Sequence, residues 1–240
     1  MATAVDSAAQ ATTVLPLEGF RFPARRLSTL TGFRSWVQSG AFPDCGRIDW
    51  IEGEVEVDMS PEDVFTHGTL KGGIAGDLRA IVEFGRKGIV LIDSSRYSAP
   101  EAALSVEPDV MVILRESLRS GRVRLVPKAG GGKGRYVEVT GAPDLVIECV
   151  SDASEAKDRS RLPGPYYRAG VRELWIVDAR RRRIDFCAYR RGPRGWKRIA
   201  VDGRGFVRSP FLETRVRLVR VPIGSGMVTY RLEQAPGPTP

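Results

Sequence analysis

Runs of apolar residues along the chain predict buried strands, and the clearest run spans residues 144–151, Asp-Leu-Val-Ile-Glu-Cys-Val-Ser. Read as a strand, it has apolar side chains on both faces, with Glu148 on one face and Cys149 on the other. This pattern is typical of a central strand that is covered on both sides. An ionised carboxylate is costly in such a place unless something pairs with it. Glu148 is therefore the first candidate functional residue.

A second apolar run, residues 110–114, directly follows another acid, Asp109. Together with Glu54, and with Asp158 after the central strand, these two acids predict an oxygen-rich site for Mg²⁺ or Mn²⁺. Such ions keep waters that can be activated for attack on a phosphodiester. Two structural alternatives stay open at this point. An acid after proline, as at Asp109, is common in turns, and Glu148 could be a salt-bridged core acid.

The same patterns predict the other elements of the fold. Apolar residues at helical spacing indicate helices over 27–39 and 61–86, and a helical segment over 156–169 that two prolines interrupt. Alternation indicates a hairpin over 47–59 and further strands at 88–98, 104–114, 122–126, 135–139, 173–178, 183–189, 196–201 and 227–232. This order favours an α/β fold, a mixed β-sheet flanked by helices with a C-terminal β-meander.

Three glycines, Gly72, Gly73 and Gly76, lie within the second predicted helix. Glycine lowers helix propensity, so its presence inside a helix needs a reason. We expect another backbone to pack closely against this side of the helix.

The chain length of 240 residues suits one main domain with accessory parts. We predict a disordered N-terminal tail over 1–22, a main domain over 23–202, a C-terminal β extension over 203–233 and a disordered tail over 234–240. No apolar run is long enough for a transmembrane helix, and the N-terminus lacks the regions of a signal peptide. These features predict a cytoplasmic protein without a membrane partner. The three cysteines are widely spaced and predict buried free thiols.

The net charge of +8 conceals a difference between the two halves of the chain. Residues 1–120 carry 12 Lys and Arg against 17 Asp and Glu, whereas residues 121–240 carry 25 against 12. A basic half beside acidic site residues suits a polyanionic substrate such as nucleic acid. The basic residues at 180–183, 190, 191 and 194 are candidates for contacts with backbone phosphates, or they form an exposed and solvated hairpin surface.

In their order and spacing, several short motifs together resemble the Uma-two family of restriction endonucleases, within the PD-(D/E)XK nuclease superfamily. The resemblance covers roughly residues 27–200. The motifs are Ile51-Glu-Gly-Glu54, Met59-Ser-Pro61, His67-Gly68, Val106-Glu-Pro-Asp-Val110, Pro143-Asp-Leu-Val-Ile-Glu148, Ser151, Lys157-Asp158, Tyr167 and Ala169-Gly-Val-Arg-Glu-Leu-Trp-Ile-Val-Asp178. The resemblance implies a restriction-endonuclease-like fold and Mg²⁺- or Mn²⁺-dependent cleavage of DNA, and it leaves a homodimer open.

The resemblance also implies a role for individual residues. Asp109 matches the acid of the Pro-Asp motif and Glu148 the second acid, and both are implied metal ligands. The backbone carbonyl of Cys149 would complete the ligand set. Glu54 matches an early acid of the family, and His67 matches a histidine at the start of the first long helix.

The lysine of the superfamily pattern is displaced in this chain. It normally lies two residues after the second acid, where it can orient water and stabilise developing charge, but that position is Val150 here. The resemblance places a lysine on the following helix, and the two candidates for it are Lys157 and Arg161. Arginine stays protonated, so Arg161 could hold a phosphate but would be a poor base.

Two functions of different classes therefore remain at the level of sequence. The first is a metal-dependent endonuclease with Asp109, Glu148, Lys157 or Arg161, Glu54 and His67 in its active site. The second is a nuclease-fold protein with impaired catalysis that binds nucleic acid or another partner. Retention of both acids favours the enzyme, whereas Val150 and Arg161 favour the binding module.

Overall fold

The computed structural model describes residues 22–43 and 46–235. Its helices are α1 (Ala24–Leu27), α2 (Leu30–Val37), α3 (Thr69–Val82), α4 (Arg115–Arg119) and α5 (Pro163–Arg168), with π-helical turns at Val64–Gly68 and Lys157–Arg161 and a 3₁₀ turn at Pro100–Ala102. Its strands are β1 (Arg47–Ile51), β2 (Glu54–Asp58), β3 (Gly88–Ile92), β4 (Tyr97–Ala99), β5 (Leu104–Val106), β6 (Val110–Leu114), β7 (Val123–Pro127), β8 (Tyr136–Gly141), β9 (Leu145–Cys149), β10 (Glu173–Asp178), β11 (Asp185–Gly192), β12 (Gly195–Arg198), β13 (Val207–Ser209), β14 (Thr214–Gly224) and β15 (Met227–Gln234). The predicted N-terminal tail lies outside the described residues except for Phe22, and the predicted C-terminal tail except for residues 234 and 235.

Six of the described strands form a central mixed sheet in the order β12-β11-β10-β9-β6-β3. Strands β9 and β10 run parallel and the other neighbours run antiparallel. All five residues of β9 are buried, which confirms the predicted central strand. The mixed sheet flanked by helices and the C-terminal antiparallel strands confirm the predicted fold class.

A second six-stranded sheet, in the order β2-β1-β5-β4-β8-β7, packs on the face of the central sheet that carries Val146 and Val150. The sequence did not predict that the strands would separate into two sheets. It predicted single strands at 88–98 and 104–114, and both predictions were wrong. Each is divided between the two sheets. In the first, Asp93 and Ser94 have φ angles of 32° and 44°, which turn the chain. In the second, Pro108 has no N–H with which to continue a ladder.

The helices also differ from their predicted bounds. The helix predicted over 27–39 is two short helices, since the side chain of Thr29 accepts a hydrogen bond from Gly32 and begins α2 there. The helix predicted over 61–86 is shorter at both ends. Its first turn is the π-helical turn, whose beginning the Asp63 side chain caps, and α3 ends at Val82. Within the described residues no helix is long and apolar enough to span a membrane.

The other face of the central sheet is covered by α3 and by a three-stranded C-terminal sheet, β13-β14-β15. Val216, Tyr230 and Leu232 of that sheet share one core cluster with α3. Strand β14 was not predicted, although the alternation of arginine with apolar residues along it was a usable signal. The predicted boundary at residue 202 stays a prediction.

Cys149 and Cys187 are free thiols, as predicted, and both are buried. Cys45 lies outside the described residues.

The expected close approach of a backbone to the glycines of α3 is confirmed at one of the three. A Cβ added to Gly73 would lie 2.4 Å from the backbone oxygen of Tyr230. A Cβ added to Gly72 or to Gly76 would meet nothing within 4 Å. Gly73 alone is therefore required for the contact between α3 and β15.

We predict opposite effects of alanine at two of these glycines. Gly73→Ala should lower the free energy of unfolding by about 1–3 kcal/mol, because α3 and β15 must move apart. Gly76→Ala, the matched control in the same helix, should raise it by about 0.5–1 kcal/mol, because alanine is the better helix former in open space. Urea denaturation measures both values. Equal effects of the two substitutions would contradict the packing described for Gly73.

Candidate active site

Asp109 and Glu148 lie side by side at one edge of the central sheet. Strands β6 and β9 pair antiparallel with Val110 opposite Ile147, and continuing this register by one position puts Asp109 opposite Glu148. Directly opposed residues point to the same face of a sheet. Each of the two acids is 1% exposed. The sheet thus brings together the two acids that the sequence singled out.

A cleft of about 320 Å³ opens beside these acids. Its lining includes Arg47, Glu62, His67, Asp93, Ser151 and Ser154. These residues come from β1, from the π-helical turn before α3 and its preceding loop, and from the loops after β3 and β9. The buried acids are therefore next to a surface opening that is large enough for part of a substrate.

Both carboxylate oxygens of Asp109 accept hydrogen bonds. Arg47 Nη2 lies 2.8 Å from its Oδ1, and the Cys149 amide donates to its Oδ2 over 2.7 Å. His67 Nε2 lies 3.5 Å from the same Oδ2. Burial alone would raise the pKa of Asp109, but the hydrogen bond from His67 and the positive charge of Arg47 outweigh it and lower the pKa well below its usual range. Asp109 is therefore a stable anion.

Glu148 has the opposite electrostatic environment. Burial, and then the negative charges of Asp109 and Asp158, raise the pKa of Glu148 well above its ordinary value. The hydroxyl of Tyr166 donates to its Oε1 over 2.5 Å. Tyr166 is itself buried, and burial raises the pKa of its hydroxyl, which keeps it a neutral donor. The sequence analysis missed Tyr166, whose role depends on α5 packing over β9.

The π-helical turn Lys157–Arg161 brings a third carboxylate to the site. Asp158 is 1% exposed, and its Oδ2 accepts a hydrogen bond of 2.5 Å from Ser154. Its Oδ1 is buried and has no hydrogen-bond partner among the described residues. Burial and the charge of Asp109 raise the pKa of Asp158 to about 7. The site therefore contains three buried acids, of which two resist ionisation.

The structure places the two candidates for the displaced lysine in different surroundings. Lys157 is buried, and its Nζ donates to Asp49 Oδ2 over 3.1 Å. Burial lowers the pKa of Lys157, but its acidic neighbours, above all Asp49, raise it by more, so the ammonium stays protonated. Arg161 is instead half-buried and paired with acids of strand β2. Of the two candidates, Lys157 is thus the one whose charge interacts with Glu148.

Glu54 is at the surface rather than beside the buried acids. Its side chain is 75% exposed and lies 2.8 Å from Arg161 Nη2. Arg161 Nη1 lies 2.5 Å from Glu56, the next acid on the same face of β2. The early acid that does reach the cluster is Asp49, on β1. The sequence analysis missed Asp49, because the packing of the second sheet on the central sheet decides which face of β1 is turned toward the acids.

A group of charged residues surrounds His67 at the mouth of the cleft. His67 Nδ1 lies 3.1 Å from Glu62, and Lys71 Nζ lies 2.7 Å from Glu62 and 2.6 Å from Asp93. Burial lowers the pKa of His67, but its contacts with Asp109 and Glu62 raise it by more. His67 therefore links the buried acids to the surface, and Arg47 and Lys71 add positive charge there.

The donor chemistry of this cluster fits a hard divalent cation. Asp109, Glu148 and Asp158 offer carboxylate oxygens, and the unpartnered Oδ1 of Asp158 is the kind of buried atom that a cation would satisfy. The amide of Cys149 points to Asp109, so its carbonyl, which projects to the same side of a strand, faces that acid too. Across residues 22–43 and 46–235, no three His, Cys, Asp or Glu side chains are already arranged as a ligand set.

The predicted phosphate-contacting arginines fall into two groups at opposite ends of the central sheet. Arg180, Arg181, Arg182 and Arg183 follow Asp178 at the end of β10 that is level with Glu148. Arg190 lies opposite Glu173, at the other end of the same strand pair, and Arg191 and Arg194 continue beyond it. Arg191 packs on the Tyr167 ring. The second group is therefore remote from the buried acids.

A comparison with solved structures finds the same fold in another protein. The chain is similar to a crystal structure described as a "putative nuclease belonging to DUF820 from Anabaena variabilis ATCC 29413". The two are 17% identical with a TM-score of 0.56, and the match covers 77% of this chain and 90% of the other, which shows a shared fold. No curated protein matches the chain.

The profile of one protein family extends over most of the sequence. It is the Uma2 family, whose description is "Putative restriction endonuclease", and it matches residues 34–219. This span includes β1 to β13, both π-helical turns and every buried acid of the site. The chain therefore belongs to the Uma2 family.

Proposed function

We propose that this protein is an endonuclease that hydrolyses phosphodiester bonds in DNA with the help of Mg²⁺ or Mn²⁺. The observation that carries the proposal is the pairing of Asp109 with Glu148 beside an open cleft. Asp109 already has Arg47 as a counter-ion, whereas the hydrogen bond to Glu148 comes from the neutral Tyr166. A bound cation would compensate the negative charge of Glu148, whose ionisation burial and two neighbouring acids otherwise oppose. Membership of the Uma2 family and the nuclease-like fold support a nuclease.

Each residue of the cluster has a proposed part in the reaction. Asp109, Glu148 and the Cys149 carbonyl would hold the cation, with the free oxygen of Asp158 beside them. The cation, when bound, supplies charge neutralisation at the phosphate and a more acidic water. Tyr166 orients Glu148 through its hydroxyl. Arg47, at the mouth of the cleft, is the proposed contact for a phosphate oxygen.

Lys157 is the proposed electrostatic partner of the phosphate in the transition state. Its ammonium stays protonated, because its ion-pair partner Asp49 stabilises the charge. A protonated ammonium stabilises developing negative charge and cannot accept a proton. Asp49 fixes the position of Lys157 from the opposite side. Lys157 therefore replaces the lysine that the superfamily carries at the position of Val150.

A second candidate function is that of a nucleic-acid-binding protein without catalysis. The observation that favours it is the saturation of Asp109, since Arg47 and the Cys149 amide bind its two oxygens. A cation would have to share Asp109 with Arg47 or displace it. The first prediction below distinguishes this candidate from the enzyme.

The first prediction concerns cleavage. With supercoiled plasmid DNA and Mg²⁺ or Mn²⁺, the wild-type protein should nick or linearise the plasmid, and a chelator should stop the reaction. Glu148→Gln should reduce the rate by about 10²-fold or more, because it removes the carboxylate that would bind the cation. Glu116→Gln, an exposed acid on α4, is the matched control and should cleave normally. A wild-type protein that binds DNA and never cleaves it would favour the binding module.

The second prediction concerns the metal itself. A ligand present at about 100 times its Kd stabilises the folded state by about 2.7 kcal/mol. For a chain of this size that raises Tm by about 5–10 °C. Differential scanning fluorimetry should detect this rise with Mg²⁺ or Mn²⁺ in the wild-type protein and none in the Asp109→Asn, Glu148→Gln double variant. Equal shifts in both proteins would remove these two acids from the metal site.

The third prediction separates Lys157 from Arg161. Lys157→Ala should reduce the cleavage rate by about 10²-fold or more, whereas Arg161→Ala should change it by no more than a few-fold. Because Lys157→Ala removes one of the two cations beside the buried Asp49, the Lys157→Met, Asp49→Asn double variant provides a folded protein without the pair. Circular dichroism verifies folding in each case. A loss in Arg161→Ala as large as that in Lys157→Ala would reverse the assignment.

A further inference from the structure

The turn between β10 and β11, residues 179–184, presents three consecutive arginines to solvent. Arg181, Arg182 and Arg183 are exposed, and no ion pair joins their side chains to any other described residue. We propose that this arginine turn, residues 179–184, binds the DNA backbone beside the active site and that Arg220 of the C-terminal sheet is the positioning residue that holds it. The inference rests on the proposed function, and it assigns the C-terminal sheet a part in substrate binding.

The location of the arginine turn supports this role. Strand β10 runs parallel to β9 with Ile176 opposite Glu148, so the turn begins just beyond the level of the buried acids. In the alternative group, Arg190 lies about 17 Å away along the strands, given about 3.3 Å per residue, and Arg194 lies farther still. A duplex that enters the cleft can therefore contact the arginine turn, whereas the far hairpin is at the other end of the sheet.

The acids near the turn are already paired with other arginines. Asp178 accepts from Arg180 over 2.7 Å and from Arg159 over 3.1 Å. Asp185, at the other end of the turn, also lies 3.1 Å from Arg159. The hydrogen bond from Arg180 keeps the pKa of Asp178 low, at about 2. The charges of the three exposed arginines are therefore available to phosphates.

Further ion pairs connect the turn to the segment after β9, which carries Ser154 and Asp158. Arg180 lies 2.7 Å from Asp152 and 2.9 Å from Glu155, both in the loop after β9. Arg159, which contacts both ends of the turn, is in the π-helical turn next to Asp158. A phosphate held by the arginine turn would thus have a defined position relative to the buried acids.

Arg220 holds the turn from the opposite side. Its guanidinium donates to the carbonyl oxygens of Ala179, Arg181 (2.9 Å) and Arg182 (3.1 Å). Its Nε donates to the Tyr230 hydroxyl over 3.2 Å. One guanidinium has five N–H donors in a rigid plane, whereas an ammonium has three on a single atom. Lysine at this position would keep the charge and could not bind all these acceptors together.

The first test measures binding of a fluorescently labelled 20-base-pair DNA duplex in a chelator, where no cleavage occurs. Over a range of salt concentrations, the Arg181→Gln, Arg182→Gln, Arg183→Gln triple variant should reduce the log–log salt slope by about 2.7, since each lost phosphate contact accounts for about 0.9. The matched control removes three exposed charges at the far hairpin, Arg190→Gln, Arg194→Gln and Lys197→Gln. It should leave the slope within about 0.9 of the wild-type value. Equal losses in the two triple variants would overturn the proposal.

The second test isolates the positioning role. Arg220→Lys should weaken binding of the duplex by about tenfold at fixed salt, because the arginines must then be ordered at the moment of binding. In the background of the triple variant, Arg220→Lys should have no further effect. Arg217→Lys, on the same strand and paired with Glu233, is the control and should bind normally. Wild-type affinity of Arg220→Lys would show that Arg220 contributes only its charge and would overturn its role.

Failure of this inference is distinguishable from failure of the proposed function. A wild-type protein with a salt slope near zero that still cleaves DNA would refute the arginine turn and leave the nuclease intact. A steep slope that the triple variant reduces, without cleavage by the wild-type protein, would support the turn and refute the catalytic proposal.

Discussion

The cost of burying negative charge at the edge of the central sheet determines the arrangement of the residues around it. Asp109 and Glu148 are opposite each other on adjacent strands, and both are almost completely withdrawn from water. Two buried carboxylates at such close quarters cannot both ionise without compensation. Arg47 and His67 compensate Asp109, whereas Glu148 has the neutral Tyr166.

This unequal compensation gives the two acids different chemical properties. Asp109 is held as an anion, and the pKa of Glu148 is raised by burial and by its acidic neighbours. Asp158 is a third buried acid with incomplete compensation, since its Oδ1 has no hydrogen-bond partner among the described residues. The cluster as a whole therefore attracts positive charge. Lys157 on one side, and Arg47 and Lys71 on the other, supply part of it from the protein.

Three parts of the fold act together to build the site and its surroundings. The second sheet contributes Asp49, which fixes Lys157. The segment after β9 contributes Ser154 from its loop and Asp158 from the π-helical turn. The ion pairs Arg159–Asp178 and Glu155–Arg180 join this segment to the arginine turn and its base. The C-terminal sheet completes the arrangement through Arg220, which binds the carbonyls of that turn. The sheet that packs on α3 at Gly73 is therefore also the sheet that holds the arginine turn beside the acids.

The sequence by itself determined the elements whose residues carry a strong local signal. The apolar run around Glu148 predicted a buried central strand, and the alternation around Glu52-Gly53 predicted the hairpin of β1 and β2. The pairing of Asp109 with Glu148 was also accessible, because an acid beside a core strand is costly enough to need an explanation. These inferences depend on residues that are close together in the sequence, where the spacing of apolar residues and the cost of burying a charge can be recognised.

The tertiary structure alone decided which distant residues complete the site. The division of the predicted strands between two sheets depends on turns at Asp93 and Pro108 and on which sheet each half pairs with. Asp49 and Lys157 lie buried near the acids, whereas Glu54 and Arg161 pair at the surface, because of which side chain faces the interior after the sheets pack. Tyr166 and Arg220 reach their partners across 18 and more than 35 positions of sequence. Contacts between segments so far apart are fixed by packing and strand register, and local sequence patterns do not record them.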